Sequence, residues 1–496
     1  MINETLQQPS EFSKWRMRLW PVHRQESKKF FLLLLMKLCV SFVYTILHAT
    51  KDTLIVTAKG SGAEAIPILK GWFVLFFAFL FMLVFSKMSN RLSRNGLFYA
   101  TLMPFICFFM IYGFFLYPNR DWLCPHETAD WIVSHIGAER FHWVAVFRYW
   151  MDSIFFLMAE LWGGVVIGLS FWGFANRINS LNEASRFYSL LTVGGHIGVI
   201  LAGPLIWHFA HAFTDFSFTV QWLMGLVSVA GLLIIAIYWW INRYIVHSPQ
   251  TELNKKAEPG TKLSLTQSLQ HLLRSPSLGC IALMVIGYSL SVNMIEVIWK
   301  ATLKLQYPNP KEYEAFMGML TSIIGSLSFL LALFVGGNVI RKFGWYVAAQ
   351  VTPIILGLAS VFFLGTFFSI NIWSTEVLFN GITALSVLVV CGAIHNISCK
   401  SMKYCFFDPT KEMAYIPLDE ETKVKGKAAV DVVASRFGKS GSSWMQVFIM
   451  EMAGVGSVLS IAPYMAPIVI LAVIGWIISV YSLRNQIGKK TEKILT

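Results

Sequence analysis

Apolar runs long enough to cross a lipid bilayer recur along the whole chain, and they constrain its fold more than any other feature. About twelve such stretches of roughly 20 residues would each cover the ~30 Å hydrocarbon core as a helix. Their approximate bounds are 31–57, 64–87, 96–117, 143–172, 186–211, 220–243, 277–303, 315–339, 345–369, 374–402, 430–455 and 463–483. We therefore expect an all-α polytopic membrane protein.

The composition agrees with this class. Of 496 residues, 56% are hydrophobic and only 14% are charged, whereas soluble domains carry about 25% charged residues. The seven cysteines are scattered and form no C-x-x-C pair, so no zinc site or disulfide framework is indicated. Residues 1–30 contain acidic residues and lack an apolar segment, which argues against a secretory signal or an organelle transit peptide. A bacterial inner membrane is the expected location.

The basic residues predict the orientation in the membrane. The net charge is +13, and Lys and Arg concentrate in 1–30, 244–276 and 484–496. Loops rich in Lys and Arg face the cytoplasm, and an even number of spans puts these three segments on one face. We therefore expect both termini in the cytoplasm. This topology signal explains the basicity better than nucleic-acid binding does.

The long basic segment near the midpoint suggests two bundles of six helices each. Ala184–Phe187 reads ASRF and recurs as Ala434–Phe437. Two such halves give the layout of major-facilitator transporters. The predicted division is a cytoplasmic arm 1–30, a first bundle 31–243, a cytoplasmic linker 244–276, a second bundle 277–483 and a cytoplasmic tail 484–496.

Polar side chains form stripes inside several of these runs. Ionisable residues within membrane spans are costly, so they usually face a protein interior or a water-filled cavity. Residues three, four or seven apart share one face of a helix. Three stripes fit that spacing: Lys37, Tyr44, His48 and Lys51; Ser289, Asn293, Glu296 and Lys300; and Ser185, Ser189, Thr192 and His196, with Arg186 beside them. We expect them to face a common central path.

Some of these charges have simpler interpretations. Arg148 and Asp152 lie one turn apart, which predicts an ion pair within one helix. Lys37 lies near the cytoplasmic end of its span, where it could extend its ammonium group to the membrane surface. Glu296 could pair with Lys300 on its own helix, or it could face substrate. Glu160 stands alone in an apolar run, so a structural role explains it less well.

The cations indicate the class of ligand. Lys51, Arg186, Lys300, Lys425, Lys427 and Lys439 would give a cavity rich in positive charge. Lys and Arg bind phosphate through charge-assisted hydrogen bonds, so a polyanion is expected. Gly438–Ser440 resembles the end of a phosphate-binding loop, but Val433 occupies the position of its first glycine. No serine-nucleophile or metal-ligand pattern occurs, so we expect no catalytic residue, no cofactor and no enzyme.

Seven motifs, in order, resemble those of the ATP/ADP translocase family of obligate intracellular bacteria and plastids. They are TKDTLIV (50–56), GAEAIPILK (62–70), AELW (159–162), NEASRFYSLL (182–191), SVNMIEVIWK (291–300), KYCFFDPTKEMAYIPLD (403–419) and VKGKAAVDVVASRFGKSG (424–441). The resemblance implies import of ATP in exchange for ADP by alternating access, without hydrolysis. It also favours a monomer.

The same resemblance implies which residues bind nucleotide. Four charged positions of the family look like Lys51, Glu160, Glu296 and either Lys425 or Lys427. His48 stands where exchangers of this family often have Arg. Two alternatives remain at this stage. One is a proton-coupled or uniport importer of other nucleoside phosphates, and the other is a membrane enzyme acting on a phosphorylated substrate.

Overall fold

The structure is a computed structural model that describes residues 22–245, 275–373, 377–379, 382–416, 418, 430 and 434–495. Within these ranges the chain is almost entirely helical. The only strands in this part are a short antiparallel pair, β1 (Val377–Phe379) and β2 (Ile382–Thr383). The all-α fold class is thereby confirmed. Most of the predicted linker lies outside the described residues.

Eleven α-helices lie within residues 22–245, the described part of the chain before the linker. They are α1 (Ser27–Thr57), α2 (Ala65–Ile68), α3 (Val74–Arg91), α4 (Arg94–Ile111), α5 (Arg120–Leu123), α6 (His126–Ile136), α7 (Phe141–Arg148), α8 (Trp150–Trp162), α9 (Trp172–Ile178), α10 (Leu181–Ala212) and α11 (Phe216–Tyr244). Two π-helical segments matter for the site: Leu69–Phe73 joins α2 to α3, and Gly163–Phe171 joins α8 to α9.

Seven α-helices follow the linker in the described residues. They are α12 (Pro276–Gln306), α13 (Pro310–Leu331), α14 (Gly337–Trp373), α15 (Ala384–Met402), α16 (Asp408–Ala414), α17 (Ser435–Ala453) and α18 (Ala462–Leu495). The π-helical segment Lys403–Phe407 joins α15 to α16. Single π-helical turns inside helices often occur at functional sites.

Ten stretches of the described chain are long and apolar enough to span a membrane. One of them, Pro310–Ile370, contains two of the predicted spans, and Gly344 interrupts it with φ +79° and ψ 173°. The helix Ser435–Ala453 falls in another predicted span but is not among the ten. A membrane protein with many spans is therefore confirmed, whereas the number twelve and the division into two bundles stay predictions.

Local sequence signals explain where the long helices begin. Ser180 accepts a hydrogen bond from the Glu183 backbone N–H at 3.3 Å, and the Glu183 carboxylate accepts one from the Ser180 N–H at 2.8 Å. This reciprocal capping satisfies backbone donors that have no partner within the helix. Pro310 begins α13 behind Asn309, whose side chain caps the helix by accepting from the Lys311 N–H at 2.9 Å.

The predicted ion pair between Arg148 and Asp152 is wrong. The helix breaks at Tyr149, whose φ and ψ are −108° and 51°, so the two residues do not lie on successive turns. Arg148 pairs instead with Asp130. The Asp152 carboxylate is fully buried, lies 2.7 Å from the Arg120 guanidinium and accepts a hydrogen bond from the Tyr112 hydroxyl at 2.7 Å.

Helices from the two sides of the linker pack closely where small residues meet. A side chain at Gly203 would collide with Gly318 and Ser322, so glycine allows α10 and α13 to approach. α1 packs against α8, α10, α11 and α13, while α12 packs against α15, α17 and α18. Two of the three helices that carry predicted stripes, α1 and α12, also touch each other.

Candidate functional site

Lys51 and Asp52 lie together on α1, in the interior of the protein. Their exposed fractions are 1% and 3%. The Lys51 ammonium is 2.8 Å from the Asp52 carboxylate and 3.1 Å from that of Glu160 on α8. It also lies 4.2 Å from the ring centre of Phe156. A lysine this deeply buried requires such partners, because an isolated buried charge is very unfavourable.

Asp52 connects this group to α12. Its second oxygen is 2.8 Å from the Lys300 ammonium, and Lys300 is also 1% exposed. Lys300 lies 3.4 Å from Glu296, one turn away on the same helix, so the predicted Glu296–Lys300 pair is present. A single carboxylate thus holds one cation from each side of the linker.

Two further lysines lie close to the Glu296 carboxylate. Lys400 on α15 approaches it to 3.1 Å, and Lys70 on the π-helical segment Leu69–Phe73 approaches it to 3.8 Å. Lys70 also donates a hydrogen bond to the Asn293 side-chain oxygen at 3.1 Å. Neither lysine was among the predicted ligand-binding residues. Lys70 is the last residue of the quoted motif GAEAIPILK (62–70), and its place in that motif could have identified it as a site residue.

Lys439 and Arg436 complete the positive surroundings from α17. Lys439 interacts electrostatically with Glu160 and Glu296, and Arg436 interacts with Glu160. The Lys439 side chain is nevertheless exposed, which indicates that it faces a solvent-filled cavity beside the carboxylates. We define the central cluster as Lys51, Lys70, Lys300, Lys400, Arg436 and Lys439 with Asp52, Glu160 and Glu296.

The central cluster carries excess positive charge and opens gradually to solvent. Its six cations face three carboxylates. The side-chain exposure rises from 1% at Lys51 and Lys300 to 12% at Lys70 and 31% at Lys400. The buried end is held by ion pairs, while the open end presents cations to the cavity.

Tyr44 and His48 form an aromatic surface on α1 beside the central cluster. Their ring centres are 4.2 Å apart, and both side chains are partly exposed. Tyr44 packs against the backbone at Gly163, where a side chain would come within 3.0 Å of its ring. Tyr404, which follows α15, is an electrostatic neighbour of Tyr44. Three members of the predicted stripe on α1, Tyr44, His48 and Lys51, therefore lie together at the central cluster, and Lys37 does not.

Arg186 does not join the central cluster. Its guanidinium donates two hydrogen bonds to the Glu26 carboxylate, at 2.8 and 2.7 Å. Glu26 precedes α1, about 37 Å along the helix axis from Lys51 at 1.5 Å per residue. Burial favours the neutral acid, but the Arg186 hydrogen bonds and charge outweigh it and hold the Glu26 pKa below its usual range. Lys425 and Lys427 lie outside the described residues.

Glu314 is a buried acid that the sequence interpretation missed. It is 0% exposed and accepts a hydrogen bond from the Thr50 hydroxyl at 2.9 Å. Among the described residues its second oxygen has no hydrogen-bond partner. The predicted span began at 315, one residue after Glu314. It lies on α13 and holds the turn of α1 that carries Lys51.

One end of the cavity is closed by contacts between segments that are far apart in sequence. The Glu64 carboxylate accepts hydrogen bonds from the Ser457 hydroxyl and the Val458 N–H, both at 3.3 Å. Lys304 donates to the Ser61 carbonyl, and the Trp444 indole donates to the Gly71 carbonyl at 3.0 Å. These contacts lie near the end of α1 that follows Lys51.

The fold and the buried charges define the class of protein as a polytopic helical transporter. A bacterial homologue of the iron transporter ferroportin, in an inward-facing state, superimposes with a TM-score of 0.56 at 15% identity, covering 95% of this chain and 99% of the other. A POT family transporter gives a TM-score of 0.57 at 11% identity, covering 92% and 96%. These likenesses establish a major-facilitator-like fold.

The chain belongs to the TLC ATP/ADP transporter family, whose model matches residues 5–487. ADP,ATP carrier protein 1 of Chlamydia muridarum is 43% identical, over 98% of this chain and 93% of the relative. The chloroplastic ADP,ATP carrier protein 1 of Arabidopsis thaliana is 41% identical, over 92% and 74%. ADP,ATP carrier protein 3 of Rickettsia typhi is 35% identical, over 96% and 97%. The protein is thus a transporter and not an enzyme.

Proposed function

We propose that this protein exchanges ATP for ADP across a bacterial inner membrane by alternating access, without hydrolysing either nucleotide. The names of its relatives and of its family support ADP and ATP as the substrates. The observation that carries the proposal is the central cluster, because six cations surround three carboxylates at the junction of α1 and α12.

The excess charge suits a di- or triphosphate. The exposed Lys439 and the half-buried Lys400 are the first cations that an entering phosphate would meet. Lys51 and Lys300 would contact it deeper in the site. Charge-assisted hydrogen bonds from lysine to phosphate are short and strong. A cavity with these groups binds a polyanion without requiring a metal ligand from the protein.

The carboxylates have a different task, because they would repel a phosphate. We assign Glu160 and Glu296 the role of partners for the lysines while the site is empty. When nucleotide binds, its phosphates replace these carboxylates as partners of Lys51, Lys300 and Lys400. This exchange of partners avoids an unpaired buried charge in the empty carrier, which would cost several kcal/mol. Binding thereby changes the contacts between the helices, and a ligand shifts a conformational equilibrium only through such a differential interaction.

Three of the remaining predicted residues, Tyr44, His48 and Asn293, would bind the nucleoside. Tyr44 and His48 offer ring faces beside the phosphate site, and stacking on an aromatic side chain is worth about 1–3 kcal/mol per base. Asn293 offers an amide for the ribose or base. Lys425 or Lys427 remains the fourth charged position implied by the family pattern. We do not include Arg186, because its pairing with Glu26 explains that residue.

Orientation and assembly also form part of the proposal. The basic segments 1–30, 244–276 and 484–496 support cytoplasmic termini. The closed end near Glu64 and Ser457 would then face away from the cytoplasm, and the cavity would open inward. We further propose two six-helix bundles that move against each other, twelve spans in total, and a monomeric carrier.

The test is uptake into proteoliposomes. Vesicles loaded with ADP should take up labelled ATP, whereas empty vesicles should not. The recovered label should still be ATP. Uptake into empty vesicles driven by a pH gradient would contradict exchange and support a proton-coupled importer. Recovery of a chemically altered product would contradict transport without hydrolysis.

A further inference from the structure

Lys37 differs from the four ion-paired lysines of the central cluster. Its exposed fraction is 8%, yet no carboxylate pairs with it among the described residues. Lys51, Lys70, Lys300 and Lys400 each have at least one such partner. The prediction that Lys37 extends into solvent is wrong, because its side chain is covered by α10 and by the segment before α9. A buried cation without a counter-ion requires another explanation.

Aromatic faces surround the Lys37 ammonium. It lies 5.2 Å from the ring centre of Phe171 and 5.4 Å from that of Trp172. The side-chain stem lies against Gly195, where an added Cβ would come within 3.1 Å of the lysine Cε. Ring faces attract a cation, but they leave it without a hydrogen-bond acceptor. Among the described residues the ammonium has these two rings as neighbours and no protein hydrogen-bond acceptor.

A second unused polar group faces the same place. His196 is 7% exposed, and its Nε2 has no hydrogen-bond partner among the described residues. The imidazole is an electrostatic neighbour of Lys37. Its ring centre lies 5.5 Å from that of Tyr404, which is 40% exposed. Lys37 and His196 thus lie on the side of the central cluster opposite the closed end, because Lys37 precedes Lys51 on α1 and Tyr404 is a neighbour of Tyr44.

We propose that Lys37 and His196 form a separate anion-binding subsite for the phosphate groups of nucleotides entering or leaving the carrier. The proposal rests on the proposed function, because it assigns this subsite to the same path. Lys37 and Lys51 are 14 residues apart on one face of α1, about 21 Å along its axis. A triphosphate chain is too short to bridge that distance, so a single ligand cannot contact both lysines at once.

The test uses inorganic tripolyphosphate, which carries the phosphates without the nucleoside. We would titrate it calorimetrically into the full chain purified in a neutral detergent. The wild type should show two classes of tripolyphosphate site. The strong class is the high-affinity site at the central cluster, and the weak class is the low-affinity site at Lys37. Lys37→Met should weaken the weak class roughly ten- to hundredfold, the range for a charge-assisted hydrogen bond, and should leave the strong class unchanged. Lys51→Met should do the reverse.

Two variants control for damage to the fold. Lys37→Arg keeps the charge and should retain the weak class. His196→Phe keeps Lys37 and fills the ring position, and it should weaken the same class severalfold, so the proposal remains testable if the methionine variant fails to fold. An unchanged weak class in both Lys37→Met and His196→Phe would overturn the proposal.

A phosphate group at this place could also come from a lipid headgroup. Titration of tripolyphosphate into the protein in nanodiscs of zwitterionic lipid should reproduce both classes of site. Addition of phosphatidylglycerol to the nanodiscs should not remove the weak class. Loss of the weak class with phosphatidylglycerol would overturn the assignment to substrate. If ADP-loaded vesicles fail to take up ATP while the Lys37-dependent class persists, the proposed function fails and the subsite survives.

Discussion

Two buried ion clusters, each centred on an aspartate that precedes the linker, look similar but are connected differently. The first joins Asp152 to Arg120 and Tyr112, and its members all precede the linker. The second joins Asp52 to Lys51 and to Lys300, which follows the linker. Both carboxylates are almost fully buried. The first cluster can only hold one part of the protein together, whereas the second can respond when two parts move.

The largest expected effect is the loss of exchange in Asp52→Asn, which distinguishes the cluster at Asp52 from the structural cluster at Asp152. Asp52→Asn and Asp152→Asn each leave a buried cation short of a carboxylate, which costs about 3–5 kcal/mol of stability. We expect both proteins to melt at lower temperature. Only Asp52→Asn should abolish exchange in the fraction that remains folded. Asp152→Asn is the matched control, and equal loss of exchange per folded molecule in the two variants would remove the distinction.

The second prediction concerns the phosphate contact. Lys51→Met should raise the Kd for ATP roughly ten- to hundredfold, because a buried charge-assisted hydrogen bond contributes about 1.5–3 kcal/mol. Arg120→Met, in the other cluster, should reduce stability and leave the Kd of the folded protein unchanged. Calorimetry on purified protein measures both. Near-normal ATP affinity in folded Lys51→Met would exclude this lysine from the site.

The third prediction concerns the missed acid. Glu314→Gln keeps the shape of the side chain and can still accept from the Thr50 hydroxyl. We expect ATP affinity to change by less than about fivefold, or about 1 kcal/mol, because the hydrogen bond from Thr50 is retained. Glu314→Leu should affect transport more than Glu314→Gln does. Equal kinetics for both variants would show that Glu314 does not position α1.

The smallest expected effect lies at the far end of α1. Glu26→Gln should cost about 1 kcal/mol, because the pair with Arg186 is partly exposed, and it should leave ATP affinity unchanged. The folded Glu26 pKa is lowered, so the stabilisation is present above the unfolded value near 4.5 and lost as pH falls through the folded value. The stability difference between wild type and Glu26→Gln should therefore shrink in acid. A constant difference would contradict the pairing.

The sequence grouped parts of two stripes correctly, because helical spacing alone determines which side chains share a face. Tyr44, His48 and Lys51 line one side of the cavity, and Asn293, Glu296 and Lys300 face them from α12. Spacing could not show which residues of different helices meet. It therefore missed Lys70 and Lys400 as partners of Glu296, and it placed Arg186 with the cavity cations although Glu26 holds it.

Breaks within helices were the second source of error. The ion pair predicted between Arg148 and Asp152 assumed a continuous helix, and the turn at Tyr149 separates them. Glu314 fell one residue outside the predicted span 315–339 and was not considered. Burial against Thr50 on α1 is a tertiary contact, and no local pattern in the sequence reveals it.

The central claim is that phosphate replaces Glu160 and Glu296 as the partner of the buried lysines. Calorimetric titration of ATP into Glu160→Gln and Glu296→Gln tests it most directly, with exchange measured on the same preparations. The account predicts that ATP binds as tightly as in the wild type or more tightly, because the competing carboxylate is gone, while exchange falls sharply. Loss of ATP binding in proportion to the loss of exchange would contradict the account and indicate that these carboxylates contact the nucleotide directly.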